Sequence, residues 1–138
     1  MNKLLRIGIF FISMALIGCA TSYQPLKSGV GYSDLQLNTT TYKVSYAGSR
    51  KISIDTVHDF LLLRCAELTL EKGYKYFIIH ESKTSHLDSY YSPAITSLPY
   101  TVTLRASEIT VIIELTNTNV KNGYDAALLK KSLGDKYA

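Results

Sequence analysis

The apolar positions change period several times along the chain, and each change marks an element. From Ile7 to Ala20 (IGIFFISMALIGCA) they run almost unbroken, whereas Thr41 to Ala47 (TYKVSYA) alternates. Tyr42, Val44 and Tyr46 then share one face and Lys43 and Ser45 the other, the pattern of a half-buried strand. Gly48 and Ser49 turn the chain. The spacing next predicts a helix from Ile54 to Lys72. The Ser53 hydroxyl is placed to accept an otherwise unpaired backbone N–H, and Asp55 and Asp59 lie near the positive end of the helix dipole. Leu61, Leu62, Leu63, Cys65, Ala66, Leu68 and Leu70 cover well over half the circumference. They leave Arg64, Glu67 and Glu71 as a charged stripe, so this helix needs covering on two sides. Gly73 supplies the left-handed residue that closes it.

Beyond the helix, Tyr74 to Glu81 (YKYFIIHE) is aromatic and β-branched and predicts a strand. Residues 82 to 99 contain Ser92-Pro93 and Leu98-Pro99 and keep no regular period, which predicts a long loop. Tyr100 to Leu104 alternates with Tyr100, Val102 and Leu104 inward, but Ile109, Val111, Ile113 and Leu115 continue on odd positions. A shift of one residue flips the face, so a bulge or turn is expected near Arg105 to Ser107. Residues 117 to 123 form a turn cluster. Tyr124 to Leu133 (YDAALLKKSL) predicts a short final helix whose Ala127 and Leu128 cover part of the first. This order predicts an α+β two-layer sandwich: a small, mainly antiparallel sheet with a long helix and a short C-terminal helix on one face.

The N-terminal run has a different meaning. Lys3 and Arg6 precede it, and its 14 residues (positions 7 to 20) match the charged and apolar regions of a secretory signal. Spanning the hydrocarbon of a bilayer takes roughly 20 apolar residues, so the run is too short for a permanent span. Its end, Leu16-Ile17-Gly18-Cys19, resembles the lipobox of bacterial lipoproteins: branched apolar residues, a small residue, then cysteine. The resemblance implies cleavage between Gly18 and Cys19 and attachment of lipid to the Cys19 thiol. Two or three acyl chains on one cysteine suffice for stable anchoring, each buried methylene contributing about 0.8 kcal/mol. Ala20 and Thr21, rather than Asp, follow the cysteine. By the same resemblance the destination is the outer membrane rather than the inner, with the domain in the periplasm.

This divides the chain into a removable segment (1–18), a lipid-anchored flexible tether (19–40) and one α+β domain (41–135). The tether (20–40, ATSYQPLKSGVGYSDLQLNTT) is rich in Ser, Thr, Gly and Asn. Fully extended, some 20 residues reach about 65 to 70 Å. With 138 residues, 46% of them hydrophobic, the chain accommodates one globular core and not two. Its formal charge of +4 overstates the basicity of the domain. Removing Lys3 and Arg6 leaves 13 basic against 11 acidic side chains, which gives phosphate backbones little to bind. Nucleic acid is therefore excluded as a partner.

Further along, Gly31-Tyr32-Ser33-Asp34, then Tyr42-Lys43-Val44-Ser45-Tyr46 and Gly48, then the block from Asp59 to Phe77 (DFLLLRCAELTLEKGYKYF) resemble a family of small proteobacterial lipoproteins of uncharacterised function. The resemblance covers roughly residues 23 to 80, with an echo at Tyr124-Asp125-Ala126. It implies the anchor and the fold and brings no activity with it. Where the family's helix reads Arg-Ala-Ala-Glu, this chain has Arg64-Cys65-Ala66-Glu67, so the Cys65 position looks small and buried rather than nucleophilic.

Residue chemistry points the same way. With Cys19 lipidated, Cys65 is the only thiol and has no disulfide partner. His58, His80, His86, Glu81 and Asp88 match no recognised metal spacing. Glu67 and Glu71 are one helical turn apart, but Arg64 and Lys75 beside them make a solvated charge stripe the simpler reading. No Ser-His-Asp arrangement appears in a recognisable context. The expectation is therefore no catalytic residue, no metal and no cofactor apart from the lipid on Cys19. The chain has 11 tyrosines and no tryptophan, and Tyr90, Tyr91 and Tyr100 gather around the proline-flanked loop. Their rings suit contact with a partner, and long loops without secondary structure are usually functional or disordered. The expected function is that of a non-enzymatic, membrane-anchored binding or structural protein of the envelope, its partner another protein or a cell-wall component. The alternative is a small-ligand or metal-binding module using residues 82–99.

Overall fold

The computed structural model describes residues 23–91 and 102–138, with the side chains of 87–91 and 102–106 left aside. Among these residues, five strands and two helices follow in the order β1 (Gly31–Gln36), β2 (Thr41–Ala47), α1 (Ile54–Glu71), β3 (Tyr76–Tyr91), β4 (Val102–Thr116), β5 (Gly123–Asp125) and α2 (Ala126–Tyr137). The strands form one antiparallel sheet in the order β1-β2-β4-β3-β5. The expected α+β architecture is the observed one, with α1 packed on the sheet and α2 packed on α1.

Strand periodicity explains which face meets the helix. Tyr42, Val44 and Tyr46 of β2 stand opposite Ile113, Val111 and Ile109 of β4, and all six are buried. Phe77 opposite Leu115 extends this face onto β3. Against it α1 buries Val57, Phe60, Leu61, Leu68 and their neighbours, and Ala126 and Leu133 of α2 join the same core. The broad apolar arc of α1 is thus covered from two directions, by sheet and by helix. Ser53 caps α1 as its hydroxyl accepts the Thr56 N–H at 3.2 Å, and Gly73 follows the helix with φ of +81°.

Four expectations change. First, the tether does not extend to residue 40. Residues 31–36 form the edge strand β1, and residues 24–32 fold back on themselves, the Tyr32 N–H donating to the Gln24 carbonyl at 2.9 Å. Gly31 makes this return possible: its φ is +127°, and a Cβ there would lie 2.5 Å from the carbonyl oxygens of Gln24 and Pro25. The pattern concealed β1 because it is an edge strand with four of its six residues exposed. Second, residues 82–91 are strand, not loop. β3 continues to Tyr91 and pairs with β4 throughout, so what the alternation lost at Ser82 was a covered face, not strand geometry.

Third, no register break occurs near Arg105 to Ser107. It lies on the partner strand, between Ile79 and Glu81, which leaves His80 as the extra residue. β4 passes the end of β2 at Glu108, so the residues before it leave the helix-covered sheet and their parity is not set by that core. Fourth, the last helix begins at Ala126 and continues to Tyr137, with Asp125 as its cap. Ala126 and Leu133 face the core instead of Ala127 and Leu128; Leu128 is 63% exposed. Tyr124 and Asp125 are held in β5 by pairing with Phe77 and Tyr76, and that pairing displaces the helix start.

Candidate functional site

The charged stripe of α1 is not uniformly solvated: Glu71 is half exposed, but its cation is buried. Arg64 lies between Leu63 and Cys65, and its side chain is only 10% exposed. Its Nε donates to Asp34 Oδ1 at 2.8 Å and its Nη1 to Glu71 Oε1 at 3.0 Å, while the Tyr32 ring lies 4.5 Å from its guanidinium carbon. Burial opposes the charge, but the hydrogen bonds from Arg64 to Asp34 and Glu71 outweigh it and hold the group protonated. Glu67 accepts a hydrogen bond from the Tyr23 hydroxyl. Burial, and then that contact with a carboxylate, push the Tyr23 proton affinity well above the ordinary phenol range. The Tyr23 ring packs against Tyr32, Tyr46 and Phe60 at 5.1, 6.3 and 5.6 Å between centroids. Together these contacts clamp residues 23–34 onto α1.

Asp34 appears in the sequence only within the Gly31-Tyr32-Ser33-Asp34 block, with nothing to tie it to Arg64, and Tyr23 is not marked by any pattern. One signal was present: Tyr32 and Asp34 share a parity, and in β1 they stand opposite Tyr46 and Val44, on the face that meets α1. An arginine among leucines and a cysteine was the matching signal on the helix.

Cys65 is fully buried, and burial drives its thiol pKa far above the ordinary value. Its carbonyl accepts from the Thr69 hydroxyl at 2.6 Å. A thiol so placed has neither the access nor the ionisation that nucleophilic chemistry needs. His80 pairs with Glu114 at 2.7 Å and His86 with Ser107 at 3.3 Å, while His58 lies exposed on α1. Among the described residues, no three His, Cys, Asp or Glu side chains gather as metal ligands. No described helix is long and apolar enough to cross a membrane.

Two surface features remain. At the end of the sheet where β2 stops, Gly29, Val30, Gly48, Ser49, Arg50 and Lys51 line an open groove of about 340 Å³. From the same end β3 and β4 continue as a two-stranded ribbon. The last link to β2 is the Gly48 N–H donating to the Ser107 carbonyl at 2.8 Å. Beyond it, the five pairs from Leu87–Ala106 to Tyr91–Val102 have no third strand among those described. At about 3.4 Å per residue the ribbon projects some 17 Å. Tyr90 and Tyr91 are the last two residues of β3, paired with Thr103 and Val102. Tyr100, Gly18 and Cys19 lie outside the described residues.

Comparison of the chain with protein-family models, with curated proteins and with solved structures finds no match.

Proposed function

We propose that the chain is a non-enzymatic, lipid-anchored protein of the bacterial envelope that binds another envelope protein or cell-wall component through the β3–β4 ribbon. The observation that carries this reading is the ribbon itself: five strand pairs that leave the core with both outer edges unpaired among the described strands. Such edges present a row of backbone N–H and C=O groups to an incoming extended segment. A free two-stranded ribbon is marginal in water by itself, so pairing with a partner strand would stabilise it. The lipobox Leu16 to Cys19 supports the anchor, and Ala20 and Thr21 after it favour the outer membrane, with the domain in the periplasm. The ligand-binding alternative relied on a loop over residues 82–99, where the chain is strand as far as Tyr91.

Crosslinking in living cells followed by affinity purification tests this reading, comparing the native chain with Cys19→Ser. Recovery of one envelope component with the native chain, lost in the Tyr90→Ala/Tyr91→Ala variant, is the expected result. If the native chain recovers nothing specific, the ribbon is not a binding element. If the Cys19→Ser chain stays membrane-bound and is processed like the native one, the lipid anchor is refuted.

A further inference from the structure

The clamp shortens the distance between anchor and domain. Tyr23 is fixed to the domain by Glu67 and three aromatic rings, and only residues 20–22 separate it from Cys19 in the chain. Four residue steps span at most about 14 Å, in place of the 65 to 70 Å that a free tether would allow. The next residue, Gln24, donates from its side-chain amide to the Val30 carbonyl at 3.4 Å, and Val30 lines the open groove. The groove therefore lies within one short arm's reach of the cysteine.

The two charged residues that line it are both basic, and an apolar side chain is exposed nearby. Arg50 and Lys51 line it, and Lys27 is joined to Val30 by two backbone hydrogen bonds of 2.9 and 3.1 Å. All three side chains are exposed, and none forms an ion pair with a described carboxylate. Leu26, beside Lys27, is 53% exposed. Three exposed cations without an ion pair thus stand in or beside a groove whose lining holds no carboxylate. Basic groups held within a Debye length of an anionic bilayer are drawn to it, and an exposed leucine beside one of them suits the headgroup layer.

From this arrangement we infer that the groove, with Leu26, Lys27, Arg50 and Lys51, is a membrane-contact surface. It seats the domain on the anionic phospholipid headgroups of the bilayer that carries its anchor. The inference rests on the lipid-anchored reading above. The clamp gives it a purpose: by folding residues 23–34 onto α1, the domain keeps this face at the membrane. The domain then sits on the bilayer in one orientation instead of swinging on a spacer.

The test uses the full mature protein, purified with its lipid and reconstituted into two sets of vesicles, phosphatidylcholine alone and phosphatidylcholine mixed with phosphatidylglycerol. Amide exchange at residues 26–30 and 49–52 is expected to slow about tenfold in the anionic vesicles only, and to recover at high salt. The Lys27→Glu/Arg50→Glu/Lys51→Glu variant is expected to lose this protection while remaining vesicle-bound through its acyl chains. An acylated protein with equal exchange in both vesicles overturns the surface assignment and leaves the anchor standing. Equal protection in both vesicles that survives the triple variant also overturns it, since charge would then play no part. Intact mass without acyl groups on Cys19 refutes the anchored reading, and the membrane-contact assignment falls with it.

Discussion

Residues 23–36 and residues 87–106 look alike in sequence, polar or irregular stretches beside well-patterned elements, yet the fold treats them in opposite ways. The first is tied down at three points: Tyr23 to Glu67, Tyr32 over Arg64, Asp34 to Arg64. In the second, residues 87–91 and 102–106 pair with each other, have no third strand among those described, and pass the end of the sheet. The difference lies in what stands opposite. β1 adds to an edge of the sheet beneath a helix that offers a buried cation, whereas β3 and β4 outrun both β2 and the groups that would cover them. Length of strand is therefore a poor guide to stability here, and the number of elements in contact is a good one.

Removing the cation gives the largest expected effect on this contrast. Arg64→Ala leaves Asp34 and Glu71 facing one another without compensation and is expected to cost about 2 to 3 kcal/mol. That is below the range for a fully buried pair, because Glu71 is half exposed. Denaturant unfolding measures it, and amide exchange across residues 24–36 should rise more than in β4. A loss under about 0.5 kcal/mol would mean that the clamp contributes nothing to the fold.

Tyr23→Ala comes next, at about 2 kcal/mol, through lost contact with three aromatic rings. Tyr23→Phe keeps the ring and removes the donor to Glu67, for about 1 kcal/mol. If the two variants are equally destabilised, the hydrogen bond and not the ring holds the segment.

The ribbon is the converse test. Replacing residues 88–105 with Asn-Gly joins the paired Leu87 and Ala106 by a two-residue turn. Unfolding free energy is expected to change by less than about 1 kcal/mol, because none of the described strands beside the ribbon is lost with it. A fall of several kcal/mol would show that the ribbon belongs to the core.

The smallest effect is a dependence on pH. Burial alone would raise the Asp59 pKa, but hydrogen bonds from Lys136 and Tyr137 at 2.6 Å bring it below the ordinary carboxylate value. A depressed folded pKa means that this carboxylate's stabilisation is complete above its unfolded pKa of about 4 and fades as pH falls through the folded one. Stability measured downward from pH 5 should fall less steeply in Asp59→Asn. Identical slopes would remove Asp59 from the account of how α2 is held to α1.

By itself the sequence determined the parts whose cause is local. The 3.6-residue period and the Ser53 and Gly73 boundaries specify α1, and strict alternation specifies β2 and the half of β4 beside it. Burial of one face imposes those periods directly on residue choice. The resemblance of Leu16-Ile17-Gly18-Cys19 to a lipobox is equally local, because it rests on four consecutive residues. Tertiary structure decided the rest. Only the packed fold brings Asp34 and Tyr23 to a helix thirty or more residues away and turns Arg64 from a solvated charge into a buried one. Only strand pairing places the bulge at His80 and carries β3 on to Tyr91. An edge strand with four exposed residues and a ribbon with no third strand among those described leave little hydrophobic period behind.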